Sequence, residues 1–228
     1  MIKKFIRDTF IIATKDLSIE RATGEIVTTT GFFAILVTVL SSRAFWSDSP
    51  EFDATLAPGV IWLSVTFASV LGLSRSWTRE REEGALRGLV VSPLSRSAIF
   101  AGKSAGIFVF ITAIELLVVP AAAVLLGFDL ARFVGPLAVI ALLTNVGIAA
   151  TGTLFGAMTV RTRARDLVLA SVLLPLLAPT LITAVVSTRD LFSGVPFREL
   201  GDYFELMIVF DVVFGAAGLG FFGLLIEG

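Results

Sequence analysis

Glu115, Asn145 and Asp211 are the residues of this 228-residue chain best placed to do chemistry, because each is a polar side chain inside a long apolar run. An ionised carboxylate at the centre of a membrane helix costs about 2.5–3.5 kcal/mol, so Glu115 is expected to face an interior polar surface. Two readings stand side by side. Either the acids form a polar substrate path or carry protons, or each is a protonated or hydrogen-bonded group that fixes helix packing. Asp211 lies closer to the start of its run, where the packing reading weighs more. The chain has no Cys and no His. That removes thiolate and imidazole metal sites, Cys–His and Ser–His–Asp nucleophile systems and histidine proton shuttles. No catalytic residue, metal site or bound cofactor is expected in this chain.

Two glycine motifs fail on context. Gly218-Leu-Gly220-Phe-Phe-Gly223 has the spacing of a dinucleotide fingerprint, but it sits inside an apolar run with no strand before it and no acid after it. Ser97 to Ser104 resembles a phosphate loop, yet Ile99 and Phe100 fill positions that need free backbone amides. The chain is not expected to bind ATP itself. These small residues, with Gly102/Gly106 and Gly152/Gly156, instead suit close helix packing.

The elements that position these residues follow from composition. Apolar side chains make up 56% and charged ones 16%, with a mean hydropathy of +0.92. That describes an all-α polytopic membrane protein. Six runs are long enough to cross a bilayer: 26–46, 56–74, 105–127, 133–159, 167–186 and 206–226. Pro175 and Pro179 predict a kink in the fifth. Residues 1–25 form a separate unit, in which Lys3, Lys4, Arg7 and Lys15 alternate with Ile2, Phe5, Ile6, Phe10, Ala13 and Leu17. This predicts an amphipathic helix in the headgroup boundary with its lysines toward water. Residues 26–228 make one six-span domain. Fourteen of the eighteen basic residues fall on the side of the N-terminal segment and of the second-to-third and fourth-to-fifth connections. Both termini are therefore expected in the cytoplasm, with the acidic stretch Asp48, Glu51 and Asp53 outside. A net charge of -1 argues against nucleic-acid binding.

The long connection 75–103 concentrates Arg79, Glu80, Arg81, Glu82 and Glu83 before Gly84, then presents Leu86, Leu89 and Val90 at helical spacing. Pro93 stops the helix and a fresh start falls near Ser95. Such a segment suits a helix along the membrane surface that takes force from a soluble partner; a solvated loop is the plainer alternative.

The run Arg79-Glu-Arg-Glu-Glu-Gly-Ala-Leu-Arg-Gly-Leu-Val-Val-Ser-Pro-Leu-Ser-Arg96, ending at Gly102-Lys103, resembles the coupling segment of export-type ABC permeases. Lys15-Asp-Leu, Ala57-Pro-Gly-Val-Ile-Trp62, Leu71-Gly-Leu-Ser-Arg-Ser76 and Thr162-Arg-Ala-Arg165 narrow the likeness to the haem exporter protein B family of cytochrome c maturation, over essentially the whole chain. The resemblance implies a bacterial inner-membrane permease subunit without enzymatic activity, present in two copies. It also implies a cytosolic ABC ATPase that binds the ATP, and other maturation proteins that handle haem. Haem would be cargo, or would be held by those partners, since this chain has neither His nor Cys to ligate it. Rival readings are an export permease for another substrate, and an ion-coupled secondary transporter using Glu115 and Asp211, against which no inverted repeat between the halves is evident.

Overall fold

The computed structural model describes residues 2–45, 50–82, 85, 88, 91–159 and 165–227. Among the described residues stand seven long helices and one short 3-10 turn, with no strand. They are α1 (Ile2–Thr23), α2 (Glu25–Ala44), α3 (Pro50–Glu82), α4 (Arg96–Leu126), α5 (Leu130–Thr159), α6 (Arg165–Phe192), the turn Phe197–Leu200 and α7 (Gly201–Glu227). Helices α2 to α7 are each long and apolar enough to span a membrane. All six runs read from the sequence are thus helices, most of them longer at one end or both.

Two boundaries differ from expectation. Helix α3 begins at Pro50, so Glu51 and Asp53 stand on its first turns rather than in a loop; Asp48 lies outside the described residues. At its other end α3 continues without a break to Glu82, so Arg79 to Glu82 are the last turn of a 33-residue helix rather than the start of a separate surface helix. Pro175 and Pro179 both lie within the helical span of α6.

Helix starts and stops follow local chemistry. Gly24 takes φ 60°, a left-handed conformation that lets α1 end and α2 begin with one residue between them. Ser95 caps α4 by accepting from the Ala98 amide, as the fresh start near Ser95 predicted, and Gly127 closes it at φ 71°.

Helix α4 is central, touching α1, α2, α3, α5 and α7. Small residues set these approaches, as expected where lipid offers no hydrophobic drive to pack helices. A Cβ at Gly102 would lie 2.6 Å from Ile12 Cβ and 2.8 Å from the Thr9 carbonyl. That pair therefore seats α1 rather than another span. Gly152 and Gly156 of α5 take Leu73 and Trp77 of α3, and Gly218 of α7 takes the Phe100 ring. The Gly218 motif thus packs helices. Its neighbour Gly220 has open space before it.

Helix α1 has two faces. Ile12 and Ala13 are buried, whereas Ile2, Ile6 and Phe10 are exposed. One apolar stripe was expected to face the membrane; part of it is instead covered by α4, because glycines at 102 and 106 leave room for it.

Candidate functional site

The strongest concentration of buried charge joins α1, α3 and α4 at one end of the bundle. Lys103, 3% exposed, donates to Glu80 Oε1 and pairs with Asp16 Oδ2 at 2.8 Å. Lys15 approaches the same Glu80 oxygen at 3.2 Å and Asp16 Oδ1 at 3.3 Å. Two ammonium groups and two carboxylates therefore alternate around one point. Sequence gives the reason for each placement. Lys103 follows Gly102, the residue that admits α1, so docking of α1 carries Lys15 and Asp16 to α4. Glu80, near the end of α3, reaches the same point.

Burial works against the charge of Lys15, but the neighbouring Glu80 and Asp16 carboxylates outweigh it and raise its pKa above the ordinary 10.5. The lysine is held charged at any physiological pH. This corrects the expectation that it points to water; Lys3 and Lys4 do so.

An outer ring supports the cluster. Arg79 lies 3.6 Å from Glu20 Oε2 and donates to Thr23 Oγ1 at 3.4 Å, while Glu20 Oε1 accepts from the Val27 amide at 2.8 Å. Arg79 thus clamps the α1–α2 corner onto α3. Of the residues assigned from sequence to a docking surface, Arg79 and Glu80 face inward to α1 and α4, and Glu80 is only 7% exposed. Arg81 and Glu82 are helical, with side chains outside the described residues. Glu83, Gly84, Leu86, Leu89 and Val90 lie outside the described residues. Sequence reasoning passed over Lys15, Asp16 and Lys103 as a group. The available signal was a lysine directly after a helix-packing glycine, with no acid on its own helix turn to pair it.

The intramembrane polar residues fall into two places. Glu115 of α4 is 5% exposed and accepts from Asn145 Nδ2 of α5 at 2.6 Å. The same amide donates to Thr112 Oγ1 at 3.2 Å. These three line a cavity of about 350 Å³ between α4 and α5. Asp211 of α7 lies elsewhere: its Oδ1 would be 2.7 Å from a Cβ at Gly147. Positions 145 and 147 of α5 point roughly 200° apart around that helix, so Glu115 and Asp211 meet opposite faces of α5. The structure joins Glu115 to Asn145 and keeps Asp211 apart.

Of the sulfur and phenol groups, Met158 is 47% exposed. Met207 is buried, and Tyr203 donates to Asp190 Oδ2 at 2.8 Å. Among the described residues no group of three or more acids stands together as a metal site.

A family described as CcmB protein matches residues 7–221. Heme exporter protein B of Pseudomonas aeruginosa is 28% identical over 165 residues, covering 72% of this chain and 73% of that protein. The protein of the same name from Rhodobacter capsulatus is 30% identical over 164 residues, 72% of this chain and 74% of its own length. That from Bradyrhizobium diazoefficiens is 25% identical over 158 residues, 69% and 70% respectively.

Proposed function

The chain belongs to the CcmB protein family, and on that premise we propose that it is the membrane subunit of an ABC-type export complex that handles haem for c-type cytochrome assembly. ATP is hydrolysed on a separate cytosolic subunit, and this chain converts the motion of that subunit into rearrangement of its spans. It works with a second copy of itself and with other maturation proteins in the bacterial inner membrane. The names of the relatives supply the cargo. Haem iron finds its ligands on partners, because this chain has no His or Cys to supply the usual axial ligands.

One observation carries the coupling half of this reading. The Lys15–Asp16–Glu80–Lys103 cluster ties α1, α3 and α4 into a single body at Glu80, within the first residues of the segment 79–91. A push on that segment is therefore delivered to three helices at once rather than to a loop.

The test is deletion and complementation in a bacterium that makes c-type cytochromes. Loss of the chain should abolish haem-stained cytochromes while its ATPase subunit leaves the membrane fraction; re-expression should restore both. Normal cytochromes in the deletion strain would sink the cargo assignment. An ATPase that stays membrane-bound without this chain would sink the pairing.

Orientation is a second expected outcome. Single cysteines at Pro50 and Val195 should be labelled from outside by an impermeant maleimide, and one at Ala85 only after the cell is opened, as the bias of fourteen basic residues against four requires. Labelling of position 85 from outside would reverse the topology.

A further inference from the structure

The cavity between α4 and α5 is a groove rather than a closed hole. Its wall on α5 runs from Leu130 to Asn145, about 22 Å at 1.5 Å per residue. Leu116 and Val134 on its rim are 71% and 57% exposed. Glu115 lies about 18 Å beyond Lys103 and about 16 Å short of Leu126 along α4, which is mid-bilayer depth. Only a lipid tail or a protein helix is available there to fill it.

The polar groups in this groove do not balance. Asn145 Nδ2 is spent on Glu115 and Thr112, and the Thr112 hydroxyl donates to the Phe108 carbonyl at 2.9 Å. Glu115 Oε1 and Asn145 Oδ1 are buried with no hydrogen-bond partner among the described residues. Pro120, on the groove wall, has no N–H to give the Leu116 carbonyl one turn before it. Acceptors are left over at a depth where no water competes, and each costs free energy until a donor arrives. Lipid tails have no donors.

We propose that this groove seats a transmembrane helix of a different polypeptide, with an amide or hydroxyl side chain at mid-bilayer depth that hydrogen-bonds to the Glu115 carboxyl. An amide or hydroxyl both donates and accepts, so it satisfies the carboxyl whether ionised or protonated. The length suits about four helical turns, and Ala138 and Ala141 let a backbone come close. A second copy of this chain does not fit the requirement. The exposed Ser and Thr on its described spanning helices, Thr28, Thr55 and Ser171, stand near helix ends, and Asn145 is the one Asn in a chain without Gln.

The test uses the full chain labelled through Ser193→Cys in phosphatidylcholine vesicles, with Förster transfer to a lysine-flanked polyleucine helix about 21 residues long. One version carries a central Asn, the other Leu throughout. The Asn helix should bind between about threefold and thirtyfold more tightly. Replacing Glu115→Leu and Asn145→Leu together should erase that preference while leaving the polyleucine affinity in place. Ala138→Trp, at an exposed rim position that leaves the buried pair intact, should weaken both helices. Equal affinity of the two helices for the unaltered chain would overturn the proposal. So would a preference that survives the double replacement, or affinities of both helices that Ala138→Trp leaves unchanged.

Discussion

Replacing Lys103 with methionine is expected to destabilise the chain in detergent by about 3–5 kcal/mol, the cost of leaving buried charges unpaired, and to free α1 to proteolysis. The prediction turns on which group is central. Lys103, whose side chain is 3% exposed, is the buried bridge between Glu80 and Asp16, and without it both acids keep only Lys15, whose side chain is 35% exposed; Glu80→Gln leaves Lys103 still paired with Asp16 at 2.8 Å. Lys103→Met should therefore cost more than Glu80→Gln. The double variant should cost less than the sum, since the two groups share one network. Thermal unfolding of the three variants, with proteolysis of α1 followed by mass spectrometry, reads both. If Lys103→Met unfolds with the unaltered chain, the cluster does not hold α1, and the route from segment 79–91 into the bundle is lost with it. Lys15 adds a pH signature of known sign. Its folded pKa is raised, so its contribution is fully present below the ordinary value of 10.5 and is lost only as pH rises through the raised one. Across the neutral range the grip of α1 should be constant.

Much of this architecture was legible because bilayer physics leaves few choices. Six runs of sufficient length had to be helices, since backbone polar groups in hydrocarbon must be satisfied within their own segment. The glycine pairs at 102/106 and 152/156 announced close packing. What they packed against was not written in the local pattern: Gly102 receives Ile12, a residue ninety positions earlier. For the same reason the cluster at Lys103 was invisible. Its acids come from two other helices, and only the seating of α1 brings them within reach. Glu115 could be marked as costly from depth alone, but its partner Asn145 is thirty residues away on the next helix. Charge periodicity at 79–83 misplaced the start of a surface helix. Arginine and glutamate are good helix formers, and nothing before Glu83 interrupts the helix that had already begun at Pro50. The charged run there is the last turn of the span's own helix, where it leaves the hydrocarbon, rather than the start of a new one.

Truncating Leu86 and Leu89 to alanine together is expected to weaken binding of the ATPase about a hundredfold, roughly tenfold for each buried anchor at 1.4 kcal/mol apiece. The structure redistributes the roles of the charged residues beside them. Arg79 and Glu80 are turned into the bundle, where they hold α1 and α4, and in the proposed coupling they would pass motion on within this chain. On the proposed coupling, docking would fall to the residues from Arg81 onward, with Glu82 and Glu83 setting register by charge and Leu86, Leu89 and Val90 supplying apolar anchors. Two classes of variant should then separate. Glu80→Gln should keep the ATPase bound but uncouple it, so that ATP is hydrolysed while cytochromes fail to mature. Leu86→Ala with Leu89→Ala should release the ATPase from a chain that remains folded in the membrane, and adding Glu82→Lys should weaken it further. Co-purification, ATP turnover and haem staining on the same membranes distinguish them. If the Leu86→Ala/Leu89→Ala/Glu82→Lys variant retains its ATPase and matures cytochromes normally, the residues from Arg81 onward do not dock the ATPase and the charge cluster at Glu80 is only a structural clamp for α1.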